Sequence, residues 1–296
     1  MAFIDANKSK WGVQPICAVL HFAPSTYYAY KKREPSKRDV RDVELKALIT
    51  KVHAQNYSVY GAQKVWAALN RGGHQVARCT VERLMRELGL KGITRGRGYK
   101  VTTVPDGSLE RPKDLVKRNF VATRPNELWC ADITYVKTRL GWAYVAFIID
   151  VFSRMIVGWQ VSTSLRSSLA SDALDMALAT RGDTKDTIHH SDRGVQYLSI
   201  TYSAQLLAAG IRPSVGTTGD SFDNALAESL NGLYKAELIY ALGSISDTYA
   251  LEWETLQWVH WFNHQRLHHS LGLMPPAEFE ANYYAQKESE NHPVHR

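Results

Sequence analysis

Apolar positions follow a helical period over the first third of this chain and give way from about residue 128 to runs rich in β-branched and aromatic residues, so the pattern alone separates two architectures. Residues 14–31, QPICAVLHFAPSTYYAYK, read as a short helix, a turn from His21 to Pro24, and a second helix capped by Ser25. That is helix-turn-helix spacing. The same logic recurs over 61–89: Val65 and Leu69 pair on one helix, Arg71 to His74 break it, and a second helix ends at Gly89. Val81, Leu84 and Leu88 make the buried stripe of that last helix, leaving Arg78, Arg83 and Arg86 outside it, free to reach DNA.

Residues 91–126 lose both periods. KGITRGRGYK, PDGSLERPKD and TRPN mix Gly, Pro and alternating charge, the composition of a basic linker able to track a phosphate backbone. From 128, LWCADITYVKT, WAYVAFIIDVFS and MIVGWQVS predict three antiparallel strands separated by short breaks at Leu140-Gly141 and Ser153-Arg154. A helix over about 167–180, a strand TIHHSD, a helix over about 199–209, a strand IRPSVG and a long helix over about 222–240 follow. The order βββαβαβα predicts an α/β mixed sheet with flanking helices, preceded by an all-α region. A Trp-rich helix at 247–266 extends it. The expected domains are a helix-turn-helix region at 1–90, the linker at 91–126, a core with its helical extension at 127–285, and a flexible tail at 286–296.

Charge sharpens this division. Residues 1–125 hold 24 Lys and Arg against 10 Asp and Glu, whereas 126–296 hold 12 against 19. A basic first part beside an acidic second part points to a polyanion-binding module joined to a domain that uses carboxylates for something else. Cys17, Cys79 and Cys130 are odd in number and far apart, which supports neither a disulfide framework nor a Cys-x-x-Cys zinc site and fits a reducing compartment. With no signal-peptide core at MAFIDANKSKWG and no run of 18 apolar residues, a soluble cytoplasmic protein is expected, with no membrane partner.

Three acids then stand out. Asp132 interrupts an apolar, β-branched strand, where an unpaired carboxylate is costly without a counter-charge or cation. Asp192 ends the strand TIHHSD just before Arg193-Gly194, where open sheets present ligands. Singly, each aspartate reads more readily as a turn or capping residue. Around Glu228 the helix divides by its 100° step: Phe222, Leu226, Leu230 and Leu233 share one face, and Asn224, Glu228, Asn231 and Lys235 the opposite one. Were the three acids to converge, they would suit phosphoryl transfer with Mg²⁺ or Mn²⁺, hard cations that prefer oxygen ligands, in a two-metal arrangement that Asp132 bridges. Asp150 is the rival for a fourth carboxylate, although a turn explains it. His260, His264 and His268 are spaced by four, but no acid or Cys completes a metal set, and His189 and His190 read as packing or hydrogen-bonding groups.

ELWCADITYV, IIDVFSRMIVGW, HHSDRGVQY, DSFDNALAESLNGLYKAEL and WFNHQRLHHSLGLMPPAEF, in this order, resemble the larger open reading frame of the insertion-sequence-three family of transposases, relatives of retroviral integrases. The likeness spans essentially the whole chain, and the 35 residues between Asp192 and Glu228 match the family's Asp, Asp, 35, Glu spacing. The resemblance implies a ribonuclease H-like core, Mg²⁺-dependent cleavage at the ends of a mobile element, and strand transfer into target DNA. It implies a catalytic, metal-binding triad of Asp132, Asp192 and Glu228, and Lys235 as a contact to terminal DNA. It also implies a homo-oligomer on paired ends, nucleoid association when DNA is bound, and an upstream-frame protein as partner or frameshift fusion. Asn224 and Asn231 receive no role. Unlike retroviral relatives, the chain has no His-His-Cys-Cys module at its amino end, so zinc is not expected. Two other readings remain: a DNA-binding regulator without catalysis, and a structure-selective nuclease without strand transfer.

Overall fold

The computed structural model describes residues 1–94, 115–116, 120–192, 194–215 and 225–291. Most of the expected linker therefore lies outside the described residues, as do Arg193, Phe222 and Asn224.

Helices α1 (Ala2–Trp11), α2 (Val13–Val19) and α3 (Pro24–Lys32) close on Ile4, Ile16, Cys17 and Tyr27. The cap expected at Ser25 falls instead at Ala23, because Pro24 opens α3: proline at a first helical position gives up no hydrogen bond and has its φ preset. Next comes α4 (Lys37–Gln55), started by a capping box in which Ser36 and Asp39 satisfy each other's backbone N–H. It packs on α5 (Ala62–Arg71) and α6 (Arg78–Glu87) through Leu45, Ile49, Val65, Leu69, Val81 and Leu84. Arg83 clamps α6 to α4 by donating twice to the Asp42 carboxylate, at 2.9 Å each, and once to Glu87 at 2.8 Å.

A five-stranded sheet forms the second region, from β1 (Leu128–Thr138), β2 (Gly141–Asp150), β3 (Ile156–Ser162), β4 (Ile188–Ser191) and β5 (Arg212–Val215) in the order β3-β2-β1-β4-β5. The first three strands are antiparallel, and β4 and β5 continue from β1 in parallel. Strand alternation gives each face its own core. Ala131, Ala146 and Ile148 pack under α7 (Ser167–Arg181) and α8 (Ile200–Ala208), while Cys130, Phe147 and Ile149 pack under α9 (Ala225–Tyr234) and α11 (Thr248–His264). Helix α7 sits so close to β3 that a Cβ on Gly158 would come within 2.1 Å of the Ala173 carbonyl oxygen, so only glycine fits there.

The helix expected over 222–240 is continuous over its described part but changes pitch: α9 passes into a π-helical turn at Lys235–Ile239 and then α10 (Tyr240–Leu242). The flexible tail expected from residue 286 is helical as far as Asn291, since α12 (Pro276–Asn291) runs through it. That helix is anchored upstream, where Phe279 and Tyr283 pack on Phe152 and Glu280 pairs with Arg181. Its exposed polar turns simply continue the anchored ones.

The two regions meet along α11 and the segment after it. Trp261 donates its indole N–H to Asn56 at 3.0 Å, and the Leu267 N–H donates to the Tyr60 hydroxyl at 2.7 Å. Beneath this seam Arg266 donates to both carboxylate oxygens of Glu237, and the pair is almost completely buried.

Candidate active site

Parallel strands β1 and β4 stay paired only as far as Ala131 and Ser191. The next residue on each is an aspartate, so Asp132 and Asp192 occupy equivalent positions where the two strands part. This is the carboxyl edge at which an open sheet presents ligands. Helix α9 crosses the same opening. Its Asn231 donates to Asp132 Oδ2 at 2.9 Å, and Glu228 stands about one turn earlier on that helix. The other oxygen of Asp132 accepts the Ile133 N–H at 2.8 Å, and Asp192 accepts the Gly194 N–H at 2.9 Å. Four side chains from three elements therefore converge, although they are far apart in the sequence.

The electrostatics of this opening are strained. Burial, and then the Asp192 charge, push the Asp132 carboxyl up to about 8. Burial also raises Asp192, against the opposing hydrogen bond from Gly194 and the charge of His190. Glu228 is raised by burial and by Asp192. Bringing the acids together thus works against their ionisation, and a positive group joining them would relieve it. Lys235, on the first residue of the π turn, is lowered by burial with Asp132 opposing, and its Nζ lies 4.6 Å from the centre of the Tyr135 ring.

Among the described residues, no three His, Cys, Asp or Glu side chains are arranged to hold a metal ion, so the acids converge without forming a coordination shell. Among the described residues, two buried polar atoms beside them have no hydrogen-bond partner: the Asn231 amide oxygen and the Tyr197 hydroxyl, whose ionisation is opposed first by burial and then by Tyr202, Asp132 and Asp192. Orphaned polar atoms are rare in folded proteins and mark places where water or an ion belongs. With oxygen donors alone and mutual repulsion between carboxylates, the residues present fit a hydrated hard divalent cation. Sequence reasoning left Asn231 without a role and did not single out Tyr197. The signals were present: Asn231 shares the polar face of Glu228 and Lys235, and Tyr197 closes the segment HHSDRGVQY.

The other candidates are placed plainly. Asp150 is fully buried, accepts N–H groups of Asn126, Phe152 and Ser153, and lies 3.7 Å from Arg181, so it ties the sheet end and its turn together. His189 bonds the Tyr202 hydroxyl at 2.8 Å and His190 the Ser214 hydroxyl at 2.9 Å, both buried. His260 and His264 stack at 4.8 Å, whereas His268 is buried beside Arg266. In the helical region Arg78 bonds Glu82, Arg83 is held by Asp42 and Glu87, and Arg86 is exposed. A groove of about 990 Å³ between α4 and α6 is lined by Arg38 and Arg41 as well as Arg83, and the sequence pattern did not single out Arg38 or Arg41.

Comparison with known proteins agrees with both regions. Residues 122–221 and 209–276 each match a family model described as an integrase core domain, and residues 40–98 match an HTH-like domain. The protein assigned as transposase of insertion sequence element IS986/IS6110 in Mycobacterium tuberculosis is 54% identical over 271 residues, covering 90% of this chain and 97% of that one. The transposase of insertion sequence element IS629 from Shigella sonnei is 49% identical over 290 residues, covering 96% and 97%. Transposase InsF of insertion sequence IS3A from Escherichia coli is 31% identical over 281 residues, covering 94% and 97%. With such identities over nearly its full length, the chain belongs to the insertion-sequence-three (IS3) family of DDE transposases, with a helix-turn-helix region preceding a ribonuclease H-like core.

Proposed function

We propose that this chain cuts donor DNA at the ends of a mobile element and joins the freed 3′-hydroxyl to a second site, with Asp132, Asp192 and Glu228 as its catalytic acids. One observation carries the residue assignment: two aspartates stand at matching positions just past the last pair of parallel strands, and the helix bearing Glu228 is tied to the first of them through Asn231.

The three acids would hold Mg²⁺, or Mn²⁺ in its place. When bound, the cation would supply charge stabilisation for the attacking and leaving oxygens of an in-line displacement at phosphorus. The chain's own contribution is positioning. Asn231 and the Ile133 N–H fix both oxygens of Asp132, and the Gly194 N–H fixes Asp192. Lys235 places a cationic group beside the opening, where a terminal phosphate would lie. Tyr197 offers a hydroxyl donor from within the core, already desolvated.

In the helical region, 1–90, the geometry favours Arg86, and Arg78 once released from Glu82, as phosphate contacts. Arg83 is better suited to holding α6 on α4. Arg86→Ala is therefore expected to lower the slope of log affinity against log salt by about one, whereas Arg83→Ala lowers the melting temperature. An unchanged slope in a salt titration of Arg86→Ala removes it from the DNA contacts. The 91–126 segment serves as linker to the 127–285 core. The working assembly is a dimer or larger on paired ends, with an upstream-frame protein as partner or fusion, and it acts in the cytoplasm on the nucleoid. Among the described residues, no helix is long and apolar enough to cross a membrane.

The test is a reaction of labelled duplex element ends with the purified chain and its upstream partner, in Mg²⁺ or in EDTA. The expected result is 3′-end nicking and a joined product in Mg²⁺ only. Nicks without joining point to a nuclease, and binding without nicks to a regulator. Either result overturns the proposal.

A further inference from the structure

Beyond residue 131, β1 has lost its neighbour β4 and continues as a hairpin with β2, whose tip is held where the Arg139 N–H donates to the Ile245 carbonyl at 2.9 Å. Directly opposed residues on an antiparallel pair share a face, so Tyr135 with Tyr144 and Lys137 with Trp142 all lie on one side. Tyr135 is 42% exposed and Trp142 50% exposed, their ring centres 5.4 Å apart. Each ring carries a lysine: Lys137 Nζ lies 5.0 Å from the Trp142 ring centre, and Lys235 reaches across the free strand edge to Tyr135. Residues 133–149 contain Lys137 and Arg139 and no acid at all, although the chain after residue 125 is acidic overall.

Exposed aromatic faces on a sheet, interleaved with cations, are the chemistry by which unpaired nucleotides are held: bases stack on the rings and phosphates meet the lysines. The face adjoins the acids around the free edge of β1. Tyr135 lies three residues along β1 from Asp132, roughly 10 Å, on the opposite face of the strand, and Lys235, on the helical segment that follows Glu228, reaches Tyr135 around that edge. A ring pair kept only for hairpin stability has no need of two lysines or of a hairpin without acids.

The geometry points to this face, built on Tyr135, Trp142, Lys137 and Lys235, as a stacking platform for unpaired bases of the DNA strand next to the phosphodiester being cut. The inference rests on the reading of Asp132, Asp192 and Glu228 as the acids that act on that bond. Stacking there would hold an opened strand away from its complement and keep the reacting phosphate in register with the acids.

The test uses the full-length chain, with fluorescence anisotropy on a labelled mixed-sequence single strand and on the matching duplex. Trp142→Leu keeps apolar volume but removes the π face, and Trp142→Phe keeps both. The platform requires Trp142→Leu to lose on the order of tenfold affinity for the single strand, to keep duplex affinity within about twofold, and Trp142→Phe to bind the single strand nearly as the parent does. Unchanged single-strand binding in Trp142→Leu, or equal losses on single strand and duplex, overturns it. The binding arms need no catalysis. A failure of the acid assignment therefore shows separately, as cleavage retained by Asp132→Asn.

Discussion

Asp132→Asn is expected to give a chain that melts higher than its parent in the absence of metal, with a difference that grows as pH rises. Burial, and then the neighbouring Asp192 charge, push the folded Asp132 carboxyl from the ordinary 3.8 up to about 8. Between those two values the folded state keeps a proton that the unfolded state releases, so the parent loses stability as pH rises from about 4 to about 8. Asparagine cannot ionise; its one amide oxygen keeps the Asn231 bond, while its NH2 replaces the oxygen that accepts the Ile133 N–H, a loss that is the same at every pH. The gap between the two melting curves should therefore widen in favour of the variant by at least about 1 kcal/mol from about pH 4 to the alkaline side, roughly 2–4 °C for a domain of this size. Magnesium should raise the melting temperature of the parent more than that of the variant, because only the folded parent presents the full acid set. Thermal melts in EDTA across this range check the claim, and curves that stay parallel contradict it.

Glu237→Ala is expected to be the most damaging single change outside the acids. Arg266 is 5% exposed and Glu237 2%, with His268 and the half-buried Lys64 close by. Removing the glutamate leaves a guanidinium with no counter-charge in the seam between the helical region and the core. Breaking such a pair costs about 3–5 kcal/mol, whereas replacing both partners with apolar residues of similar volume is often close to neutral. Urea unfolding should thus show a large loss for Glu237→Ala and substantial recovery in Glu237→Leu with Arg266→Met. Loss of under about 1 kcal/mol in the single variant would mean that water reaches Arg266 and that the seam is looser than its burial indicates.

Much of this architecture was legible because period and position coincide. The β-branched and aromatic runs of β1 to β3 come from burial on both faces of the sheet and the stripe of α6 from burial on one face, and both leave a trace in the sequence. Helix α4 left a weaker one: its first turns, KRDVRDVELK, are dominated by charge, and its buried residues Leu45, Ile49 and His53 appear only at intervals of four. The α3 cap was misplaced because serine is a strong capping residue, yet the adjacent proline had already fixed where the helix starts. Arg83 looked free on the helical wheel; its partner Asp42 lies 41 residues away, beyond the reach of local pattern. Asn231 shows the same limit at the candidate site. Its face was legible from the helical step, but its bond to Asp132 joins residues 99 apart and depends on α9 crossing the opening between β1 and β4.

The joint action of the three acids is tested most directly by single-turnover strand transfer on labelled element ends in Mg²⁺, with the upstream partner present, comparing the parent with Asp132→Asn, Asp192→Asn and Glu228→Gln. All three variants should be folded, should bind the ends, and should lose both nicking and joining to background. Wild-type joining by any one of them would remove that residue from the site, and wild-type joining by all three would contradict the account.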